Sequence, residues 1–452
     1  MKNIRILLPF ILIILGLFFI INAFAQTTNT ETLNTETTNI LTPNVLSLGQ
    51  VIDRALQANH KIHISEINLG MSKEVKKQAL TEFLPKLKTG YGFTYKNDVD
   101  QVTLDGRRYY FGTNDNYLWT SSIIQSIFTG LATSSKYKIA DINLEISGIR
   151  KAATRLNIIL EAKKGYFAVQ NAKLLVEVGN ETVKSLIEHL SVAQEYYDVG
   201  LNPKIDVLNA GVDLADAKQE LEWAKNQVVV TKAALSNILD LPVDTPIEVV
   251  GTLKYAPFTI PYDECSAKAV KLRPGLKEAK KRIEIAQKQI RLAGSGYYPN
   301  VTASMNYYRF GDQPDVDGNG FDDRENWNVM VNADWTFWEW GKTRSAVLES
   351  KGNLKKAGKE LAMVEDRIRF EVKKAFQDIQ TAHHNITVAK TGVEQAKENL
   401  EISQERYKEQ VATITEVLDA QTRLTQARTS HTNALNDYNV AMATLYRAMG
   451  ME

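Results

Sequence analysis

Two periodicities alternate along this chain. Apolar residues recur at helical spacing from Leu46 to Phe83, and Pro85 ends that run. The period then falls to two. In Thr89–Tyr95 the aromatics Tyr91, Phe93 and Tyr95 alternate with small residues, and Tyr117–Ile127 sets Tyr117, Trp119, Ile123 and Ile127 against Thr120, Ser122 and Ser126. These are two predicted strands. Next comes a proline-free stretch from Gly130 to Asn202, in which Ile142, Ile146, Ile149, Ala153, Leu156 and Leu160 follow a heptad. The seam continues after Pro203 through Val207, Ala210, Leu214, Ala217, Leu221, Ala224, Val228, Thr231, Leu235 and Ile238. A segment with Pro242, Pro246, Pro257 and Pro261 interrupts it, and then the whole order begins again.

The second half can be laid on the first. An offset of 214 places Ala55 on Ala269, Ala79 on Ala293, Phe83 on Tyr297 and Pro85 on Pro299. An offset of 210 places Glu161-Ala-Lys-Lys164 on Glu371-Val-Lys-Lys374, and Asp206-Val-Leu208 on Glu416-Val-Leu418. The second copy shows the strand pattern more cleanly, with Trp327, Val329, Val331, Ala333, Trp335 and Phe337 on one face and Asn328, Asn332, Asp334 and Thr336 on the other. Its seam runs through Val417, Ala420, Leu424, Ala427, His431, Ala434, Tyr438, Ala441, Leu445 and Ala448. A repeat of this kind is an architecture in itself. The expected organisation is residues 1–25 as signal peptide, 26–45 as a disordered leader, 46–241 as the first repeat, 242–261 as a linker and 262–452 as the second repeat.

Lengths narrow the fold. A helix from Gly130 to Gly200 would reach ~105 Å at 1.5 Å per residue, which suits a tube or filament and not a compact globule. Strands of about ten residues with one apolar, aromatic face fit a transmembrane β-barrel, although a soluble antiparallel sheet shows the same alternation. Four strands are too few to close a barrel, and an open sheet in lipid leaves unpaired edges, so the strands must be shared between chains.

The N-terminus favours the membrane reading. Lys2 and Arg5 precede the apolar run Ile6–Ile21, and Ala23-Phe24-Ala25 is a signal-peptidase site; the alternative is an uncleaved anchor. Cleavage would take the formal charge from +1 to −1 by removing Lys2 and Arg5. Charges that nearly cancel give no basic face, so nucleic acid is excluded as a partner. Cys265, the only cysteine, rules out intramolecular disulfides and zinc-finger spacing.

With these features in hand, the chain resembles the TolC-type outer-membrane efflux channels. The stretches that carry the resemblance are Leu48-x6-Ala55-Leu56, Phe83-Leu84-Pro85 with Tyr297-Tyr298-Pro299, and Tyr197-x2-Gly200 leading into Asp206-Val-Leu208. In the second copy the last of these reads Tyr407…Glu416-Val-Leu418-Asp419-Ala420. The resemblance implies an α+β membrane protein: a homotrimer with a 12-stranded transmembrane β-barrel, four strands per chain, continued by a long periplasmic α-helical coiled-coil barrel. It further implies a periplasmic adaptor and an inner-membrane transporter as partners, outer-membrane lipid around the strands, and a passive efflux or type I secretion duct. A structural or adhesive coiled-coil protein of the envelope is the alternative; it explains the heptads but not the paired amphipathic strands.

The resemblance also implies a gate where the helical turns lie. Glu416 and Asp419 match two acidic rings that narrow the entrance, and Tyr197, Tyr407 and Asp206 match positions that hold the closed tip together. Ala412 stands where a latching arginine is expected. Local chemistry offers a simpler account: Thr413-x-x-Glu416 fits a capping box, and Asn202-Pro203 fits an N-cap followed by proline. Separately, Asp315, Asp317, Asn319 and Asp323 follow a calcium-loop pattern. Asn326 occupies the position of the expected glutamate and no flanking helices are predicted, so a solvated acidic turn is the other reading. His60, His63, His383 and His384 lack partners at metal-ligand spacing. No phosphate loop or catalytic signature occurs, so neither an enzyme nor a cofactor is expected.

Overall fold

The computed structural model describes residues 44–99, 101–320 and 323–452. The signal peptide, and the leader up to residue 43, lie outside the described residues. The chain opens with β1 (Asn44–Leu46), α1 (Leu48–Ala58) and α2 (His60–Thr81), followed by strands β2 (Lys86–Tyr95), β3 (Gln101–Leu104), β4 (Arg107–Tyr110) and β5 (Asp115–Thr129). Helices α3 (Ala132–Asp198) and α4 (Lys204–Ile238) complete the first repeat. After β6 (Ile247–Val249), the second repeat supplies α5 (Tyr262–Leu272), α6 (Pro274–Ala293), β7 (Asn300–Gly311), β8 (Glu325–Asp334), α7 (Lys342–Lys408) and α8 (Ile414–Met449).

Residues 46–83 do not form one continuous helix. Asn59 breaks it by leaving helical geometry and capping α2 through its own side chain, while Nδ2 donates to Ile238 O at 2.9 Å. In the second repeat Arg273 breaks the helix at the matching place without a side-chain cap, and its guanidinium donates to Arg447 O at 3.1 Å. Asn44 and Val45, read as leader, instead pair in parallel with Ile247 and Glu248 of the linker.

Four strands form an antiparallel sheet in the order β2-β5-β7-β8, so the two repeats meet at β5 and β7, while β3 and β4 pair as a separate hairpin. Directly opposed residues share a face. Leu87, Ile123, Met305 and Val329 line up on one side, and Lys88, Ser122, Asn306 and Asn328 on the other. The first side is apolar and largely exposed, the second polar, with Asn306 Nδ2 donating to Asn328 Oδ1 at 2.9 Å. β2 and β8 are each paired along one edge only. The last strand is shorter than its pattern suggests: it stops at Asp334. Trp335 turns to donate its indole N–H to Tyr297 O at 3.3 Å, and Trp338 and Trp340 stand exposed beyond it.

A left-handed corner then launches each long helix, at Gly130-Leu131 (φ 58° and 70°) and at Trp340-Gly341 (φ 50° and 83°). Glycine is required at 130, because a Cβ there would sit 2.5 Å from Ser295 O. With 67 residues each, α3 and α7 are ~100 Å long. Shorter helices share that length: α2 and α4 lie along α3, and α6 and α8 along α7. Because α3 also packs on α6 and α8, the helices form a layer whose outer members near the turns are α4 and α7.

Burial follows the heptads in three clusters strung along the layer. One, around Leu235, Leu239 and Ile247, joins the first repeat to β6; another, around Val372, Tyr438 and Leu445, serves the second. The third, around Ala193, Ala210, Ile414 and Val417, holds the turns. Full burial of each such Leu or Ile contributes roughly 1.5–3 kcal/mol. Among the described residues, no helix is long and apolar enough to cross a membrane.

Candidate functional site: the two helix turns at the far end of the layer

The turns that join α3 to α4 and α7 to α8 are copies in backbone detail. Leu201 N–H donates to Tyr196 O at 2.8 Å, and Val411 N–H to Arg406 O at 2.9 Å. Both close the preceding helix with a left-handed residue, Gly200 (φ 78°) in one and Gln410 (φ 58°) in the other. Glycine adopts that conformation freely and glutamine does not.

Side chains make the copies differ. Tyr407 is buried beneath the first turn, its ring 5.5 Å from that of Tyr196, and its hydroxyl accepts a hydrogen bond from Asn202 Nδ2 at 2.8 Å. Burial pushes its phenol up, with nearby Asp206 adding to the effect and the Asn202 bond opposing it. Partial burial also raises Asp206, and among the described residues its carboxylate makes no ion pair. Tyr407 and Asp206 are thus brought together, with Asn202 rather than Tyr197 completing the contact. Tyr197 is exposed at the helix end.

Asn202 is therefore not the N-cap. Pro203 holds that place, without a side-chain cap, and frees the Asn202 amide to bridge the hairpins. The second cap is half of the expected box: Thr413 Oγ1 accepts from Glu416 N–H at 3.4 Å. Glu416 turns its carboxylate the other way, to Arg406 Nη1 at 3.3 Å, and Arg406 Nη2 also reaches Val411 O at 3.4 Å. Asp419 lies one turn further along the same exposed face of α8. Across from it on α4, Asp213 is held above the usual carboxylate range by burial first, then by the negative charges of Asp216 and Asp419.

Asn202 was read from the sequence only as a cap, and Arg406 and Asp213 were not singled out, yet both of these left a signal. Asp206, Asn209, Asp213 and Asp216 are spaced three, four and three, a polar stripe on one face of α4. Arg406 falls opposite Tyr196 at the 210 offset, a mismatch between otherwise matching turns. Behind the turns runs a polar seam. Ser185 Oγ donates to Gln421 Oε1 at 2.7 Å and sits 3.2 Å from His189 Nε2, while Thr182 and Thr425 hydroxyls meet at 2.9 Å. An open groove between α3 and α4, lined by Ile187, Leu190, Leu208, Gly211 and Val212, leaves apolar surface uncovered on the outer helix.

The acidic loop after β7 is tied down by ion pairs and backbone bonds. Asp317 pairs with Arg324 at 2.8 Å and faces Arg309 at 3.7 Å, and Gly318 N–H bonds Phe310 O. Among the described residues, no three or more His, Cys, Asp or Glu side chains are grouped as a metal site.

An antiparallel sheet with an apolar outer face, joined to duplicated ~100 Å helical hairpins that end in an acidic tip, defines an outer-membrane channel of the TolC type. The sequence profile of the outer membrane efflux protein family matches residues 51–240 and again 266–451, and the chain belongs to that family. It is similar to the outer membrane protein TolC of Escherichia coli K12, 24% identical over 430 residues, covering 89% of this chain and 82% of that protein. Among solved structures it resembles the CmeC outer membrane channel of Campylobacter jejuni (TM-score 0.77, 17% identity, 89% and 85% of the two chains). It also resembles the outer membrane protein VceC of Vibrio cholerae (TM-score 0.76, 18% identity, 89% and 96%). The chain is accordingly a protein of the outer membrane with a periplasmic helical extension, and the proteins it resembles are channels, not enzymes.

Proposed function

We propose that three copies of this chain close into one continuous duct, a 12-stranded barrel in the membrane followed by a helical tube across the periplasm. The observation that carries this reading is the pair of open edges. The sheet ends in β2 and β8, and the helical layer ends in α4 and α7; an unpaired strand edge in lipid is costly. The repeat supplies the means of closure. Within one chain, α8 of the second repeat packs on α3 of the first, and β7 pairs with β5. Shifting each partner by the repeat offset makes α4 pack on α7 of a neighbouring copy, and β2 pair with its β8. The uncovered Leu208 and Val212 of the α3–α4 groove then gain a partner. Membership of the family supports three as the number of copies.

In this arrangement the turns form the periplasmic tip, where Glu416, Asp419 and Asp206 ring the axis, and Tyr407, Asn202 and Tyr197 brace the closed state. Carboxylates around a narrow pore attract cations and select by charge. No phosphate-binding loop is present in the sequence, so the duct is passive. An inner-membrane transporter supplies the energy, and a periplasmic adaptor docks its own helices in grooves near the tip. A purely structural coiled coil leaves the amphipathic sheet unexplained.

Purified protein reconstituted in planar bilayers tests the reading. Discrete conductance steps are expected, and Glu416→Gln with Asp419→Asn lowers the cation preference. Conductance with an unchanged reversal potential in a salt gradient would remove the acidic residues from the gate; no conductance would remove the duct itself.

A further inference from the structure

We infer that Arg406 is a specificity-determining residue of the tip, cancelling the charge of Glu416 so that only part of the acidic constriction acts on passing ions. The inference rests on the channel reading above and refines it. Arg406 lies in the last turn of α7, where the helix dipole favours a cation. Two acceptors of the turn fix its guanidinium, Glu416 Oε2 at 3.3 Å and Val411 O at 3.4 Å. The other repeat has no such device. Tyr196 stands in the place of Arg406, and Asp206 in the place of Glu416 makes no ion pair among the described residues.

Both members of the Arg406–Glu416 pair are about half exposed, so the pair adds little to stability. Its effect on ions does not depend on that strength. Opposite charges a few ångströms apart have little joint field beyond a Debye length of about 8 Å at physiological salt. A ring of six quasi-equivalent units therefore presents alternating charge: Asp206 bare, Glu416 compensated. One turn deeper, Asn209 holds in the first repeat the place that Asp419 holds in the second, so the two repeats again differ in charge at equivalent positions. Ala412, which cannot latch the tip, leaves the nearest arginine as a screen for its acidic ring. The tip is thus less strictly cationic in its choice than its acid count suggests.

Reversal potentials of the full-length protein in planar bilayers under a KCl gradient test this. Arg406→Gln is expected to raise the potassium-to-chloride permeability ratio at least about twofold, the effect of a unit charge acting through a few ångströms of water. Arg406→Lys restores the wild-type ratio, and Arg406→Gln with Glu416→Gln returns close to it. An unchanged ratio in Arg406→Gln, in channels that conduct and respond to Glu416→Gln, overturns the inference and leaves the duct standing. Absence of conductance in the wild type instead overturns the duct. Should Arg406→Gln fail to assemble, the swap Arg406→Glu with Glu416→Arg keeps the pair neutral and is expected at the wild-type ratio; a shift toward chloride overturns the claim.

Discussion

Replacing Gly200 by alanine isolates the backbone cost of the tip. Gly200 has φ 78°, and a Cβ built there meets nothing within 4 Å, so no steric clash confuses the result. A left-handed non-glycine residue costs about 1–2 kcal/mol. Loss of glycine's freedom in the unfolded chain offsets about 0.4–1 kcal/mol of that. The net is about 1 kcal/mol lost from the turn. Its effect should appear in native-state hydrogen exchange of Leu201, whose N–H bonds Tyr196 O at 2.8 Å. A change of about 1 kcal/mol corresponds to roughly fivefold faster exchange through local opening. The second turn supplies the reverse experiment. Gln410→Gly removes the same strain and is expected to slow exchange of Val411 N–H severalfold. Faster exchange in Gln410→Gly, or no change in Gly200→Ala, would refute the claim that the two turns are one structure carried by different residues.

Other perturbations act on neighbouring contacts. Tyr407→Phe leaves Asn202 without its acceptor and should cost about 1 kcal/mol, seen as easier proteolysis between 408 and 413; Phe indistinguishable from wild type would detach the bridge from tip stability. Burial lowers His189, with Glu188 and the Gln421 bond opposing, so the neutral imidazole is the folded form. The stability linked to it is fully present above the unfolded value of about 6.5 and is lost as pH falls toward the lowered folded value. Tip exchange should quicken on that descent in the wild type and not in His189→Asn; parallel profiles would contradict the assignment. Glu371 accepts from both Arg273 and Arg447, and burial together with Arg447 pulls Arg273 down. Glu371→Gln strands two cations beside each other. Because Glu371 is one-third exposed, the expected loss is about 2 kcal/mol, read from the shift in denaturant midpoint and below the range for a fully buried pair.

Much of the layer was legible because its code is periodic. Val417, Ala420, Leu424, Ala434, Tyr438 and Leu445 are buried as their heptad spacing requires, and so are Ala210, Leu214 and Leu221. The first turn fell where Gly200 and Pro203 stand, and the second where the offset of 210 carries it. The errors came where one side chain overrules the pattern. Asn59 interrupts an otherwise helical run by hydrogen bonding across the chain to Ile238, which no local period reveals. Trp335 continues the strand's alternation but rotates out of it to reach Tyr297. At the tip, acids were visible by type, while Asn202 and Arg406 act through neighbours 205 and 10 residues away in sequence (407 − 202 and 416 − 406). Their partners are set by how the hairpins pack, and only the comparison of one repeat with the other marks them.

Closure of the layer by a second copy is the claim on which the duct depends, and one crosslink tests it directly. Within the chain, the hydroxyls of Thr182 on α3 and Thr425 on α8 meet at 2.9 Å. The repeat offset of 210 carries that contact to Gly392 on α7 and Ala215 on α4, the two outer helices of one chain. With the buried Cys265 replaced by alanine, Ala215→Cys and Gly392→Cys place two sulfurs where those hydroxyls would stand, within disulfide reach between neighbouring copies. Oxidation of the protein in outer membranes should give covalent dimers and trimers on non-reducing gels, with neither single cysteine forming trimers. Chains that stay monomeric under oxidation would contradict the closed duct.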